Sequence, residues 1–466
     1  MKQRYISSEY ELPLVHEEIL APASQEFITT LWEKLAQTGW ELCNGGVKKR
    51  YTNPEVVNPD VFITTDTGPT IEFAPTPRTS LHEIEDQRKG LMREILDALT
   101  GTPYTLLGSG VHPKVVANKN NYLRVRTPRK AYDYAIMERG WHHHSIVHIA
   151  ATQEVIDIPV AQAMDVLRCC HRLTPYMTYL FRNDFDCRGN YGNILSVRPT
   201  CWRNHIPDDV PHRFINDRQR IWMPEVEIAS WTEYLGIIWK NSPMFFIGTK
   251  HDGPVFLPDH PTFAQYLQRG PQTAVRIQDT SACTITPTID HVEGTDWHYM
   301  GSARLRWKLD RNKMTIDGLV SALQNQDTGA FDAYIAQGVA RLMIENRSSA
   351  TAPPGEEIAS LAFMVGLLSN LAELKEFLFQ KPYTYYQSLA QRSEHEPYNV
   401  WVLDELGHLL VIAHQGLRTR NLGEEKYLQP IKDRLSTHLS PSEVTRALMQ
   451  GINSMECAYK SLLYKK

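Results

Sequence analysis

Two glutamates stand two residues apart near the start of the chain, Glu9 and Glu11 in ISSEYEL (6–12). In a strand, that spacing turns both carboxylates to one face of the sheet. Two anions so placed repel each other unless a cation lies between them, and hard divalent ions such as Mg²⁺ take oxygen ligands of this kind. Related pieces recur. ITTDTGPTIEF (63–73) sets Asp66 and Glu72 on either side of a tight turn, where two hairpin strands bring them close. MIENRSS (343–349) spaces Glu345 and Arg347 by two. His148, in SIVHIAAT, lies in a run of apolar and small residues that reads as a strand. A sheet face with Glu9, Glu11, Glu72, Glu345 and His148 carries too much charge to stay dry without cations. It suits two or three Mg²⁺ or Mn²⁺ ions holding a polyphosphate. Taken singly, each residue also has an ordinary reading: a solvated strand glutamate, a satisfied core histidine, and for Asp66 a turn residue bonding its own backbone.

The elements that must position these groups are legible as periodicity. Residues 4–12 read as a strand, and 61–75 as a hairpin turning at Thr67-Gly68-Pro69. SIVHIAATQ (145–153) reads as a buried strand, with His142-His143-His144 as its polar lead-in. Three adjacent histidines on an extended chain alternate sides and do not ligate one ion easily. Further strands are expected within 282–308, at SARLRWKL (302–309) and at 340–347. Helices are expected at 24–38 after a Ser24 cap, 80–99 after a Thr79 or Ser80 cap, 158–182, 232–240, 356–379, 397–415, 423–437 and 441–463. NILSVRPTCW (193–202) reads as irregular or extended. Strands spread through the first three-quarters without regular alternation imply an α+β fold with a mostly antiparallel sheet. The expected organisation is a catalytic domain over 1–380 with a helical region, 381–466, packed on it.

Composition excludes several classes. The 466 residues are 42% hydrophobic and 22% charged, an ordinary globular balance. A net charge of −4 without a basic run gives no sign of a nucleic-acid partner. No stretch has the length and apolarity of a membrane span, and the N-terminus lacks a signal-peptide core. Seven cysteines, an odd number without a CxxC, read as reduced thiols of a cytoplasmic protein. Neither GxGxxG nor GxxxxGK[ST] occurs, so ATP, if used, is held by metal-bridged phosphates on a sheet.

In order along about 4–380, these pieces resemble the glutamate–cysteine ligase family, especially its plant-type and bacterial carboxylate–amine ligase branch. SSEYEL is similar to the family's G-x-E-x-E strand, with Ser for Gly, and ITTDTGPTIEF to its T-D-turn-x-E-F segment. NILSVRPTCW resembles L-S-x-R-x-x-x-W, and WTEYLGIIWKNSPMFFI (231–247) the helix and P-M-x-F segment beyond it. MIENRSSATAPP (343–354) resembles L-E-x-R-x-x-D-x-x-P, and SLAFMVGLL (360–368) the apolar helix that follows. The resemblance implies the glutamine-synthetase-like fold, a curved antiparallel sheet forming a funnel flanked by helices. It also implies ATP, two or three Mg²⁺ ions and ligation of an amino-acid carboxylate, glutamate in the common case, to an amine. Glu9, Glu11, Glu72, Glu345 and His148 then match metal ligands, with His148 also near the nucleotide. Arg198 and Arg347 match arginines for phosphate or substrate carboxylate, with Arg198 expected partly exposed at the funnel mouth.

Two departures stand out. About 30 residues separate SARLRW from MIENR where plant-type members are shorter, and the Asp of the last motif is replaced by Ala350 or Thr351. Asp66 is a candidate base for the amine. Arg304 and Arg306 are further candidates for the acid substrate, although a solvated strand face is their first reading. Besides a glutamate–cysteine ligase, three readings stay open: a same-fold ligase for another acid or amine, a metal-dependent guanidino or amino phosphotransferase, and a non-catalytic binding protein. The substrates implied are small molecules, and the oligomeric state is not indicated.

Overall fold

The structure is a computed structural model that describes residues 4–50, 60–249, 253–325, 327–452 and 454–466. Its centre is an antiparallel sheet of nine strands among the described residues. Strand Ile6–His16 lies in the middle, between Ala151–Asp157 on one side and Thr70–Phe73 on the other. Beyond Ala151–Asp157 come Val339–Ala350 and then Ala303–Leu309. Beyond Thr70–Phe73 come Asp60–Thr65, Gly46–Arg50 and Glu41–Cys43, while Tyr104–Leu106 pairs with the far end of the central strand.

One face of the sheet is apolar, as the alternation in ISSEYELPL requires. Tyr10, Leu12, Ile63, Ile71 and Phe73 build one core there. On the other half of the sheet, Ile6, Ile156, Leu305 and Ile344 join a larger core with the helix Ala163–Phe181. The C-terminal helices pack behind this core. Ala359–Ser369 and Val400–Arg420 cross where Gly366 faces Gly416, and a Cβ on either would collide with the other helix's backbone.

Several expectations hold. Ser24 and Ser80 cap the helices Gln25–Ala36 and Leu81–Leu99. The hairpin pairs Ile63 with Phe73 and Thr65 with Ile71. A Cβ at Gly68 would strike the Val147 carbonyl oxygen, so glycine lets the hairpin turn close onto that loop. The stretch 340–347 lies within the strand Val339–Ala350. The segment between SARLRW and MIENR folds into two helices, Ile316–Gln324 and Thr328–Gly338. All seven cysteines are free thiols. Among the described residues, no helix is long and apolar enough to cross a membrane.

Three expectations fail. The strand placed at 145–153 starts only at Ala151, and His143–Ser145 is a 3₁₀ turn rather than an extended lead-in. NILSVRPTCW is not extended throughout, because Arg198–Arg203 is a short helix with Pro199 in its first turn. The expected helix 356–379 is also broken into Ala359–Ser369 and Leu371–Leu378.

Candidate active site

The strand register fixes which side chains share the polar face. Glu9 lies opposite Gln153, and Glu11 opposite Glu72. Val155 lies opposite Glu345, which in turn lies opposite Arg304. Period two adds Arg306 and Arg347 to the same face. A row of charge therefore crosses five strands, from arginines at one side to carboxylates at the other.

Above this face is a cavity of about 230 Å³. Its polar end is lined by Glu9, Glu11, Asp66, Arg198, Arg304 and Arg347. The hairpin turn brings Asp66 in, and Thr127 latches that turn by donating to the Asp66 carbonyl at 2.6 Å. Tyr132, on the helix Lys130–Arg139, reaches the Asp66 carboxylate at 3.5 Å.

Carboxylates crowd one side of this end. Burial, then repulsion from Asp66, raises the Glu11 carboxyl to about 8. Burial and Glu345 raise Glu9, and burial with Glu9, Asp66 and Glu11 raises Glu72 well above its ordinary value. Two glutamates directly opposite each other, as Glu11 and Glu72 are, destabilise a strand pair. The Gln153 amide partly compensates. It donates to Glu9 at 2.7 Å and to Glu11 at 2.6 Å, while the Ala151 N–H donates to the second Glu11 oxygen at 2.7 Å.

On the other side, Glu345 is only 1% exposed and answers three guanidinium groups. Arg304 lies at 2.8 Å, Arg306 at 3.0 Å and Arg347 at 2.7 Å. Although burial alone would raise it, these three cations, Arg304 first, hold its carboxyl far below the usual range. Arg347 also donates to the Gln153 side-chain oxygen, joining the two halves. Arg304 and Arg306 are therefore not a solvated strand face: Arg304 is buried and both are tied to Glu345.

Arg198 sits at the start of its short helix. The Asp184 carboxylate accepts from the Arg198 N–H at 2.7 Å and from the Ser196 hydroxyl at 3.0 Å, anchoring the turn. The guanidinium donates through Nε to the Arg347 carbonyl at 3.0 Å. Contrary to the expected partial exposure, Arg198 is 2% exposed, because this anchoring draws it under the cavity wall. Its Nη2 is nonetheless a buried donor without a partner, as is the Arg304 Nε. Both residues line the cavity, and a buried donor left unmatched there calls for an acceptor. Trp202 lies within cation–π range of both Arg198 and Arg347.

The structure does not bring His148 to this face. Because its strand begins three residues later, His148 lies in the preceding loop, buried beside Tyr191 and Cys201. Burial lowers its imidazole to about 4. The position assigned to it is held by Gln153. Sequence reading passed over Gln153, although the β-branched run in ATQEVIDIP shows the strand's centre lying later than 145–153.

The carboxylate set fits divalent cations in donor chemistry. Glu9, Glu11, Glu72 and Asp66 are oxygen donors whose shared charge lacks a full counter-charge. Glu345 as placed is committed to arginines. Among the described residues, no three His, Cys, Asp or Glu groups are already gathered as ligands, so these side chains must close in on a cation.

Comparisons with known proteins show the fold and the family. The fold is similar to glutamate–cysteine ligase from Francisella tularensis, solved in complex with AMP, with a TM-score of 0.54 and 10% identity over 99% of this chain and 87% of that one. A bifunctional glutathione synthetase from Pasteurella multocida also matches, with a TM-score of 0.46 and 12% identity over 99% of this chain. The chain spans about half the length of that enzyme, 51%. Among curated proteins none matches. Fold and site together define a protein that gathers carboxylates and arginines on one face of an antiparallel sheet, beneath one cavity. The chain belongs to glutamate–cysteine ligase family 2, whose profile matches residues 8–451.

Proposed function

We propose that this protein is a glutamate–cysteine ligase, joining the γ-carboxylate of L-glutamate to the amine of L-cysteine as ATP is cleaved to ADP and phosphate. It would then serve glutathione biosynthesis in the cytoplasm. The observation that carries the reading is the pair of unmatched buried donors, Arg198 Nη2 and Arg304 Nε, on residues that line one cavity together with Glu9 and Glu11.

A carboxylate is a poor acyl donor, and phosphorylation by ATP makes it a good one. The amine then attacks the acyl phosphate and phosphate leaves. The protein's task is positioning and charge neutralisation. Two or three Mg²⁺ or Mn²⁺ ions would neutralise the phosphates, and Glu9, Glu11, Glu72 and Asp66 are the residues to hold them. Arg198 braces the transferring phosphoryl group through its unmatched Nη2. Arg347 and Arg304 orient the acid substrate's second carboxylate, with Glu345 fixing their directions. Gln153 spaces Glu9 from Glu11 and ties them to Arg347. Asp66 remains the candidate to take the amine's proton.

The test is ADP release from purified protein with ATP and Mg²⁺. A ligase forms ADP in quantity only with glutamate and amine together. A phosphotransferase needs one substrate, and a binding protein gives none; either outcome sinks the proposal.

A further inference from the structure

We infer that Glu154, behind the sheet, is a positioning residue: through Asn346 it fixes the bulge from which Arg347 enters the cavity and on which Arg198 rests. This inference rests on the ligase reading above, which gives both arginines their work. Glu154 follows Gln153 in the strand Ala151–Asp157, so period two turns it to the opposite face, beside Ile156. Ile6, Ile156 and Ile344 belong to the large apolar core on that face. Glu154 is 0% exposed there. A carboxyl in apolar surroundings is costly, and an apolar side chain would fill the same place without that cost. Burial raises it to about 7, although Asn346, Ser360 and Ser349 each oppose the rise.

Its neighbours show what the carboxyl holds. Asn346 lies directly opposite Glu154 in the adjoining strand and donates to it through Nδ2 at 2.5 Å. Immediately beyond this pair the register shifts, and the next match is Ser349 with Thr152. Arg347 and Ser348 together therefore stand against the single residue Gln153, a β-bulge. Ser349, on the far side of the bulge, and Ser360, in the first turn of the helix Ala359–Ser369, lie beside the same carboxyl. One side chain thus ties one flank of the bulge by a hydrogen bond and borders the other.

The bulge serves both arginines. The Arg347 N–H donates to the Ser302 carbonyl at 2.8 Å, and the Arg347 carbonyl accepts from Arg198 Nε at 3.0 Å. The Arg347 guanidinium meets Glu345 at 2.7 Å and also donates to the Gln153 side-chain oxygen. A slip of one residue between these strands would send the Arg347 side chain to the apolar face and carry away the carbonyl that Arg198 holds. The Glu154–Asn346 bond pins the register at the last matched pair before the bulge.

The experiment compares Glu154→Ala, Asn346→Ala, their double variant and Glu154→Gln by ADP release, with glutamate and ATP varied in turn at saturating cysteine. Glu154→Ala should lower kcat/KM for glutamate ~10–100-fold while KM for ATP stays within ~3-fold, because the arginines are misplaced in a folded protein. Asn346→Ala should do the same, and the double variant should fall no lower than the worse single one, since both remove one bond. Glu154→Gln still accepts from Asn346 and should stay within ~3-fold of wild type. Should Glu154→Ala fail to fold, Glu154→Leu takes its place, filling the space without accepting a bond. A lowered melting temperature with kcat/KM for glutamate intact, or a loss lying in KM for ATP alone, overturns the inference. Losses that multiply in the double variant, or a glutamine variant as impaired as the alanine one, overturn it too, because the Asn346 bond is then not the cause. Each of these results leaves the ligase reading standing. No glutamate-dependent ADP release from the wild-type protein overturns both.

Discussion

Replacing Glu345 by glutamine should cost stability before it costs chemistry. The carboxylate is buried under Arg304, Arg306 and Arg347, at 2.8, 3.0 and 2.7 Å. Arg306 is 38% exposed, so water screens its share and its loss is worth at most ~1 kcal/mol. Arg304 and Arg347 are buried and would be left facing each other without the anion. Breaking a buried pair from one side typically costs ~3–5 kcal/mol. Unfolding entropy of ~2 cal/mol/K per residue gives this chain a melting entropy of about 1 kcal/mol/K. Glu345→Gln should therefore melt roughly 3–5 °C below wild type, and high salt should not rescue it. Thermal unfolding followed by circular dichroism, without nucleotide or added metal, is the assay. A midpoint within about 1 °C of wild type would refute the idea that Glu345 organises the arginines.

The opposite outcome is expected at Glu9. Its carboxyl is raised by burial and by Glu345, so Glu9→Gln should leave the metal-free protein as stable as wild type or more so, while ADP formation falls ~100-fold or more; unchanged turnover would remove it from the site. Arg198→Lys keeps the charge but loses the planar fork, so kcat should fall more than KM for ATP rises. Equal losses in nucleotide affinity for Lys and Ala substitutions, with kcat intact, would speak against a brace. His171 is buried, and burial lowers its imidazole from 6.5 to about 4. Between those values the folded state binds fewer protons than the unfolded one, so this contribution to stability is lost as pH falls from 6.5 towards 4. The stability deficit of His171→Gln against wild type should thus shrink by up to ~3 kcal/mol between about pH 7 and about pH 4.5, as read by urea titration; a deficit constant across that range would contradict a neutral buried imidazole.

The parts of the fold set by local pattern were readable from the chain. The spacing of Glu9 and Glu11, the Thr67-Gly68-Pro69 turn and the serine caps each state their geometry within a few residues. What escaped depends on partners far away in sequence. His148 looked like a strand residue because the apolar run around it is real, yet pairing with the central strand starts only at Thr152 opposite Tyr10. The helix at Arg198 begins where Asp184, fourteen residues earlier, accepts its N–H, a contact that propensity does not encode. Arg304 and Arg306 look solvated by alternation alone, and only the register against Val339–Ala350 reveals the anion between them.

The central position of strand Ile6–His16 also constrains how the chain reaches its native state. The neighbouring strand Ala151–Asp157 needs Val339–Ala350 on its other edge. At ~5–20 residues per second, a ribosome delivers that last partner roughly 20–70 s after the first strand emerges. Meanwhile Ile156 and the open edge beside it form a template for stray pairing. So many non-local contacts predict slow folding. The acidic row has a second use in that interval: Glu9, Glu11 and Glu72 give the unfinished sheet a like-charged face that discourages two nascent chains from stacking on each other.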